Sequence, residues 1–235
     1  MKTFLRMTLS LLFVLGLATD SRAAIESELA KESNQFAFDV YGKLSDAQGN
    51  VMFSPFSILS ALSMTYEGAA GETAAEMRGV LHLSGDPEIL HEQWLSVGHA
   101  LEMDNDANEL NIANALWVNK TYPLKKNYSD VISDVYGGVL YVQDFADDSE
   151  GARLFINNWV SEQTKNRIKD LLPPDSVDEL TRLVITNAIY FKGKWASSFP
   201  KSNTKKEAFY LPSGQKVQSD LMASDEENFE YFENC

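Results

Sequence analysis

The first part of the chain repeats apolar side chains at the spacing of a helix. From Glu26 to Leu44 these side chains fall mostly three or four positions apart, which predicts an amphipathic helix. A short apolar strand that begins at Asn50 is predicted to lead into the next helix. Ser54 is the predicted N-cap of that helix and Pro55 its first residue, because proline lacks the N–H that goes unpaired there.

The pattern then changes from helical to alternating. Before the change, a capping box at Thr73-Ala-Ala-Glu76 predicts the start of one helix, and residues 86–104 are typical of a surface helix. Leu110 to Val118 places Leu, Ile, Asn, Leu and Val on alternate positions, which predicts a strand with these side chains on one face. Val139 to Phe145 predicts a second strand.

The second half of the chain supplies the most apolar segment. A helix is predicted from Ser149 to Leu172, ended by Pro173. The strand Leu180–Phe191 is apolar on both faces from Leu183 onward, which predicts a central strand covered on both sides. Early helices followed by long strands indicate an α+β domain with a large sheet, and no repeat or low-complexity linker marks a domain boundary.

Charge and the first residues indicate where the protein acts. With 20 basic and 34 acidic residues the formal charge is −14, so nucleic acid and anionic membrane surfaces should repel the chain. Lys2 and Arg6 precede an apolar run of about a dozen residues, too short to span a bilayer. Ser21 and Ala23 then follow at the spacing that signal peptidase prefers. We therefore predict a signal peptide over residues 1–23 and a secreted, extracellular protein.

The residue types that carry catalysis or bind metals are sparse. The single cysteine, Cys235, can form no internal disulfide and no paired-cysteine zinc site. The three histidines, His82, His91 and His99, fall in one acidic, mostly helical region and are predicted to be solvated. We find no nucleophile elbow, no Walker loop and no dinucleotide fingerprint. The sequence therefore predicts a protein that is not an enzyme and needs no cofactor or metal.

Several segments, in chain order, are similar to the serpin family of serine protease inhibitors. They are Asn50 with Phe53-Ser-Pro-Phe-Ser57, Gly68-Ala-Ala-Gly-Glu-Thr-Ala-Ala-Glu-Met77, Ala113-Asn-Ala-Leu-Trp-Val-Asn119, Ile156-Asn-Asn-Trp-Val160 with Thr164, and Thr186-Asn-Ala-Ile-Tyr-Phe-Lys-Gly-Lys-Trp195 with Phe199. The resemblance implies a multi-helix domain packed on a large central β-sheet, incomplete in this chain. Residues 24–235 are then the N-terminal part of a single serpin domain.

The resemblance also implies an activity that is not enzymatic. A serpin exposes a loop that its target protease cuts, and the cut loop inserts into the main sheet as an extra strand with the acylated protease attached. That loop lies well beyond the last match, so this chain is expected to be truncated and to lack the reactive bond. The partner of the full-length protein is expected to be a serine protease. A non-inhibitory serpin that acts as a carrier, storage protein or chaperone, and an inactive truncated isoform, are the alternatives.

Four residues match positions that control the sheet in this family. Ser54, Ser57 and Asn187 correspond to the shutter, and Trp195 to the breach where the loop first enters. Asn187 is also polar among apolar neighbours, and an unpaired buried amide costs about 1–3 kcal/mol, so it must have partners. Alternatively, Ser54 is only a helix cap, Ser57 a small packing residue, Asn187 an incidental core amide and Trp195 an ordinary core aromatic.

Two surface features complete the expectations. The sequons Asn119-Lys-Thr121 and Asn127-Tyr-Ser129 are candidate glycosylation sites, provided that they are exposed. Residues 86–104 contain no Lys or Arg and five acidic side chains, so this face is not expected to bind a glycosaminoglycan.

Overall fold

A computed structural model describes residues 28–45, 49–101, 108–195 and 197–224. The predicted signal peptide and Cys235 lie outside these ranges, as does most of the predicted turn at residues 46–49. The chain divides into two compact units, one of Met1–Asp104 with Leu110–Phe191 and one of Asn105–Glu109 with Lys192–Cys235.

The larger unit contains six helices and three strands among its described residues, and β1 and β3 each extend two residues beyond it. In chain order they are α1 (28–44), α2 (Pro55–Tyr66), α3 (Gly71–Leu81), α4 (Pro87–Leu101), β1 (Asn108–Asn119), α5 (Lys126–Asp134), β2 (Val139–Gln143), α6 (Ser149–Gln163) and β3 (Leu183–Gly193). The smaller unit contains a short 3₁₀ helix, Lys201–Asn203, and an antiparallel hairpin of β4 (Lys205–Tyr210) and β5 (Lys216–Leu221).

The sheet of the larger unit has the strand order β2-β1-β3. β1 and β2 run parallel, with Ala115 opposite Val139. β1 and β3 run antiparallel, because residues that come earlier in β1 contact residues that come later in β3. The backbone N–H of Asn119 donates to the carbonyl of Arg182 at 3.0 Å, and the Thr186 hydroxyl donates to the carbonyl of Ala115.

Among the described residues β3 is an edge strand, paired only with β1, and the prediction of a central position is wrong for this part of the chain. The prediction of apolar packing on both faces holds, because Ile185 packs with the helical core and Val184 with the core beneath α6. Apolar residues on both faces of a strand show that its faces are covered. They do not show how many strands pair with its edges.

The sheet separates two cores, and alternate residues of β1 enter each of them. Leu116 and Val118 join a large core formed with α1 to α5, whereas Ala115 and Trp117 join a second core beneath α6. Each of these β1 side chains is no more than 6% exposed. The alternation predicted from Leu110 to Val118 is therefore confirmed, since successive residues of a strand point to opposite faces.

Element ends agree with the predictions where local capping chemistry is strong. Ser54 caps α2 and Pro55 is its first residue, as predicted. The predicted strand from Asn50 is absent among the described residues, and Met52 there is 96% exposed, because nothing pairs with this segment. Helix α3 begins at Gly71 rather than at the predicted capping box, with a residue before it that makes no side-chain cap.

Helix α6 ends nine residues before the predicted stop at Leu172. Lys165 and Asn166 adopt left-handed backbone angles, with φ of 52° and 62°, which terminates the helix without glycine or proline. The hydroxyl of Thr164 stabilises this end, since it donates to the carbonyl of Val160 and accepts from the N–H of Ile168.

A buried carboxyl group in α1 predicts a dependence of stability on pH. Glu32 is 8% exposed, and burial, with the neighbouring Glu28, raises its pKa from 4.5 to about 7 against the opposing effects of Lys31 and His82. Because the folded state holds this proton more tightly than the unfolded state, the contribution of Glu32 to stability is greatest below pH 4.5 and is lost as the pH rises to about 7. We expect Glu32→Gln to raise the free energy of unfolding by about 2 kcal/mol relative to the parent at pH 8 and by little at pH 4. Urea titrations of both proteins at the two pH values measure this, and an equal difference at both pH values would contradict it.

Candidate functional site

Two of the predicted site residues meet in a polar chain that joins helix α2 to the sheet. The hydroxyl of Ser57, in the first turn of α2, donates to the side-chain oxygen of Asn187 on β3. The amide nitrogen of Asn187 donates to the side-chain oxygen of Asn114 on β1 at 2.7 Å. The amide nitrogen of Asn114 in turn donates to the backbone carbonyl of Tyr136, just after α5, at 2.8 Å. Four elements of the larger unit are thus connected by three consecutive hydrogen bonds.

Ser54 has a different place from Ser57. Its hydroxyl accepts the backbone N–H of Ser57 at 3.3 Å, which is the N-cap bond of α2. Ser54 is exposed, and the hydrogen bond of its side chain stays within the start of α2. Its direct role is therefore to begin the helix that presents Ser57, while Ser57 makes the contact with the sheet.

Asn114 belongs to this chain and was not singled out from the sequence. It is 6% exposed, on the face of β1 that otherwise carries Leu116 and Val118 into the helical core. Its position in the sequence could have identified it, because an amide among the alternating apolar residues of a strand must find hydrogen-bond partners. Both of its side-chain atoms do so here, with Asn187 and Tyr136.

A second set of polar contacts joins Tyr136 to Glu67, at the end of α2, and to His91 in α4. The Tyr136 hydroxyl donates to the Glu67 carboxylate at 3.0 Å, and His91 Nε2 lies 3.1 Å from the same oxygen. Burial, and then the charge of Glu67, raise the pKa of Tyr136, so the phenol stays protonated and acts as a donor. The prediction of solvated histidines is wrong for His82 and His91, which are partly buried and each lie against a carboxylate, His82 at 2.7 Å from Asp39. His99 is exposed, as predicted.

Trp195 lies in the smaller unit, two residues after the end of β3 and outside any helix or strand. It is 68% exposed, and its ring meets that of Phe199 edge to face, with centroids 5.3 Å apart. This exposure does not fit an ordinary core aromatic. Its match to the breach of the family stays a prediction.

The two sequons have opposite environments. Asn119 is 1% exposed, its amide nitrogen donates to the carbonyl of Thr181 at 3.0 Å, and its oxygen accepts from Thr121. A glycan would have to be attached to that enclosed nitrogen, so the folded structure removes Asn119 from the candidates. Asn127 is exposed in the first turn of α5 and keeps its place as a candidate.

The described residues indicate what this site can do. They contain no cluster of His, Cys, Asp or Glu arranged to hold a metal. No helix in the described part of the chain is both long and apolar enough to cross a membrane. The chain of Ser57, Asn187 and Asn114 instead joins neighbouring strands to each other and to a helix, so β3 cannot move relative to β1 and α2 without breaking hydrogen bonds.

The fold and this polar chain define a class of protein. Helices cover one face of a mixed sheet, a single helix crosses the other face, and the side-chain amides of Asn114, which is buried, and Asn187, which is partly buried, connect the sheet to the helix behind it. A family model described as "Serpin (serine protease inhibitor)" matches residues 31–235, and the chain belongs to the serpin family.

Similar proteins agree on this family. An uncharacterized serpin-like protein of Thermococcus kodakarensis is 40% identical over 213 residues, which cover 89% of this chain and 48% of the relative. Ipis-1 of Ixodes persulcatus is 37% identical over 202 residues, 84% of this chain and 53% of the relative. A solved structure, "Cleaved Serpin 42Da", has a TM-score of 0.78 at 36% identity and covers 84% of this chain and 53% of its own. The chain thus spans about half the length of the curated relatives it matches.

Proposed function

We propose that the full-length protein containing this sequence is a secreted inhibitor of serine-type endopeptidases, and that it traps its target by inserting a cleaved loop into the sheet. The family description supports protease inhibition as the activity. The hydrogen-bonded chain of Ser57, Asn187 and Asn114 supports the insertion mechanism, because it can hold the sheet in its native arrangement until a loop enters.

The position of Asn187 on β3 supports the same proposal. A strand that enters a sheet must move the strands beside it, and the contact between Ser57 of α2 and Asn187 opposes a movement of β3.

The experiment is incubation of the full-length protein with a panel of serine proteases of trypsin-like, chymotrypsin-like and elastase-like specificity. The proposal predicts loss of protease activity with at least one of them and a covalent complex that survives denaturing electrophoresis. The control is the same protease with its catalytic serine replaced by alanine, which cannot acylate and should give no stable complex.

Two other outcomes distinguish the alternatives. Cleavage of the protein by every protease without a stable complex would identify a non-inhibitory serpin that acts as a carrier, storage protein or chaperone. A native product that contains no more than these 235 residues and forms no complex would identify an inactive short isoform.

Secretion is tested through the remaining sequon. Expressed in a eukaryotic secretory cell with residues 1–23 in place, the protein should reach the medium and carry one glycan at Asn127. Ser129→Ala, which removes that sequon, should abolish the mobility shift on treatment with peptide N-glycosidase. Thr121→Ala, which removes the buried sequon at Asn119, should leave the shift unchanged. Retention in the cell, or a shift that is lost only in Thr121→Ala, would contradict this part of the proposal.

A further inference from the structure

Helix α2 is tied to the rest of the larger unit at both of its ends. At its start the Ser57 hydroxyl donates to Asn187 on β3. At its end Glu67, the C-cap residue, accepts a hydrogen bond from the Tyr136 hydroxyl at 3.0 Å and lies 3.1 Å from His91 Nε2 of α4. The polar chain that reaches β3 therefore begins on a helix whose other end is held by a separate set of polar contacts.

Tyr136 joins this second set of contacts to the polar chain. Its backbone carbonyl accepts from the amide nitrogen of Asn114 at 2.8 Å, and its hydroxyl donates to Glu67. Tyr136 is 6% exposed, and its ring centroid lies 5.2 Å from that of Trp94. The bond to Glu67 thus restrains the same residue whose carbonyl Asn114 uses.

The carboxylate of Glu67 has little access to water. Its side chain is 12% exposed and that of His91 is 26% exposed. Among the described residues, His91 is the basic side chain that lies within ion-pair distance of Glu67. An enclosed carboxylate is costly unless a charged partner faces it, and an imidazole is a charged partner only when it is protonated. Imidazole is also the side chain whose charge ordinarily changes between about pH 5 and pH 8.

The other titratable groups at this site leave that dependence to His91. The phenols of Tyr66 and Tyr128 also lie near Glu67 or Tyr136, and a phenol ionises only at about pH 10 or above. On α4 itself, Glu88 is exposed and lies one turn before His91, where its negative charge favours the same protonated imidazole.

We propose that Glu67, Tyr136 and His91 form a pH-sensitive anchor at the end of α2. With His91 protonated, the ion pair holds Glu67 and, through Tyr136, the carbonyl that Asn114 uses. With His91 neutral, the last turn of α2 opens more often and the polar chain holds β3 less firmly. The full-length protein therefore converts to an inactive form more slowly at pH 5.5 than at pH 8. This last step rests on the proposed function, whereas the anchor itself does not.

The first test is hydrogen exchange at the backbone amides of residues 65–67 in the full-length protein, measured at pH 5.5 and pH 8. Exchange is expressed as protection relative to an unstructured peptide at the same pH, which removes the intrinsic effect of pH. Because the pKa of Glu32, about 7, lies in the same range, Glu32→Gln serves as the parent protein. We expect about tenfold greater protection at pH 5.5, the effect of one hydrogen bond to a charged group.

Two histidine variants assign this effect. His91→Gln should make the protection equal at the two pH values. His99→Gln, which removes an imidazole from an exposed position of the same helix, should retain the difference of the parent. Equal protection of the parent at both pH values, or a difference that persists in His91→Gln, would overturn the proposal.

The second test connects the anchor to the sheet. Tyr136→Phe keeps the ring and removes the donor to Glu67, so protection at the end of α2 should fall at both pH values while the pH dependence remains. Spontaneous loss of inhibitory activity should accelerate from pH 5.5 to pH 8 in the parent and proceed at equal rates in His91→Gln. Protection that depends on pH together with inactivation that does not would overturn the regulatory step. A protein that inhibits no protease would contradict the proposed function, and the exchange result alone would then decide whether the anchor exists.

Discussion

Replacement of Trp117 by alanine should lower the free energy of unfolding by about 3–5 kcal/mol, the largest loss we expect from a single residue. Trp117 is fully buried on β1 and stacks on Tyr141, with centroids 4.5 Å apart and ring planes at 12°. Its ring also meets Trp159 of α6 edge to face at 5.4 Å. The indole N–H donates to the Thr186 hydroxyl on β3 at 3.0 Å, so the substitution removes packing and a contact between strands together.

The measurement is a denaturant titration of the parent and the variant, followed by far-UV circular dichroism. Trp195→Ala removes a side chain of the same size from a position that is 68% exposed, and it should cost less than about 1 kcal/mol. Trp117→Phe should lower the free energy of unfolding by less than Trp117→Ala does, because an aromatic ring remains although the N–H is lost. Comparable losses for Trp117→Ala and Trp195→Ala would mean that the core beneath α6 is not packed as described.

Asn187→Leu should lower the free energy of unfolding by about 1–3 kcal/mol, although leucine is more apolar and similar in size. The substitution leaves the side-chain oxygen of the buried Asn114 without its partner, and an unpaired buried group costs about 1–3 kcal/mol, while the partly buried Ser57 hydroxyl loses its partner at a smaller cost. In the full-length protein the same change should also loosen β3. From the proposed function we therefore expect faster spontaneous conversion to an inactive form, measured as the loss of inhibitory activity with time at a fixed temperature.

Ala188→Val is the matched control for this prediction. Ala188 is the next residue of β3, is 4% exposed and packs on the α6 side of the sheet, so its change disturbs packing without touching the polar chain. It should alter stability through crowding and leave the rate of spontaneous inactivation close to that of the parent. If Ala188→Val accelerates inactivation as much as Asn187→Leu does, general destabilisation explains both and the polar chain has no special role.

Local chemistry made part of this structure predictable from the sequence. The start of α2 follows from Ser54 and Pro55, whose preferences do not depend on distant residues. The faces of β1 follow from its alternation. The need of Asn187 for partners follows from the cost of burying an amide, and the family resemblance grouped it with Ser54 and Ser57, of which Ser57 makes the hydrogen bond.

The remaining features depend on contacts that are distant in sequence. Asn114 lies 73 positions from Asn187, and its second partner is a backbone carbonyl, which no pattern of residue types marks. The burial of Asn119 is equally invisible, because its sequon is identical in form to the exposed one at Asn127. Pairing at the edges of β3 could not be predicted either, because the hydrophobicity of a strand reports its faces and not its edges.

The most direct test of the polar chain is a double-mutant cycle between Ser57 and Asn187. We would measure the free energy of unfolding of the full-length protein, of Ser57→Ala, of Asn187→Ala and of the double variant, together with a parallel cycle between Ser54 and Asn187. A direct hydrogen bond between α2 and β3 predicts a coupling energy of about 1 kcal/mol or more for the first pair. The parallel cycle should give much less, because Ser54 contacts the backbone N–H of Ser57 and not Asn187. Coupling near zero in the first cycle, or equal coupling in both, would contradict the account.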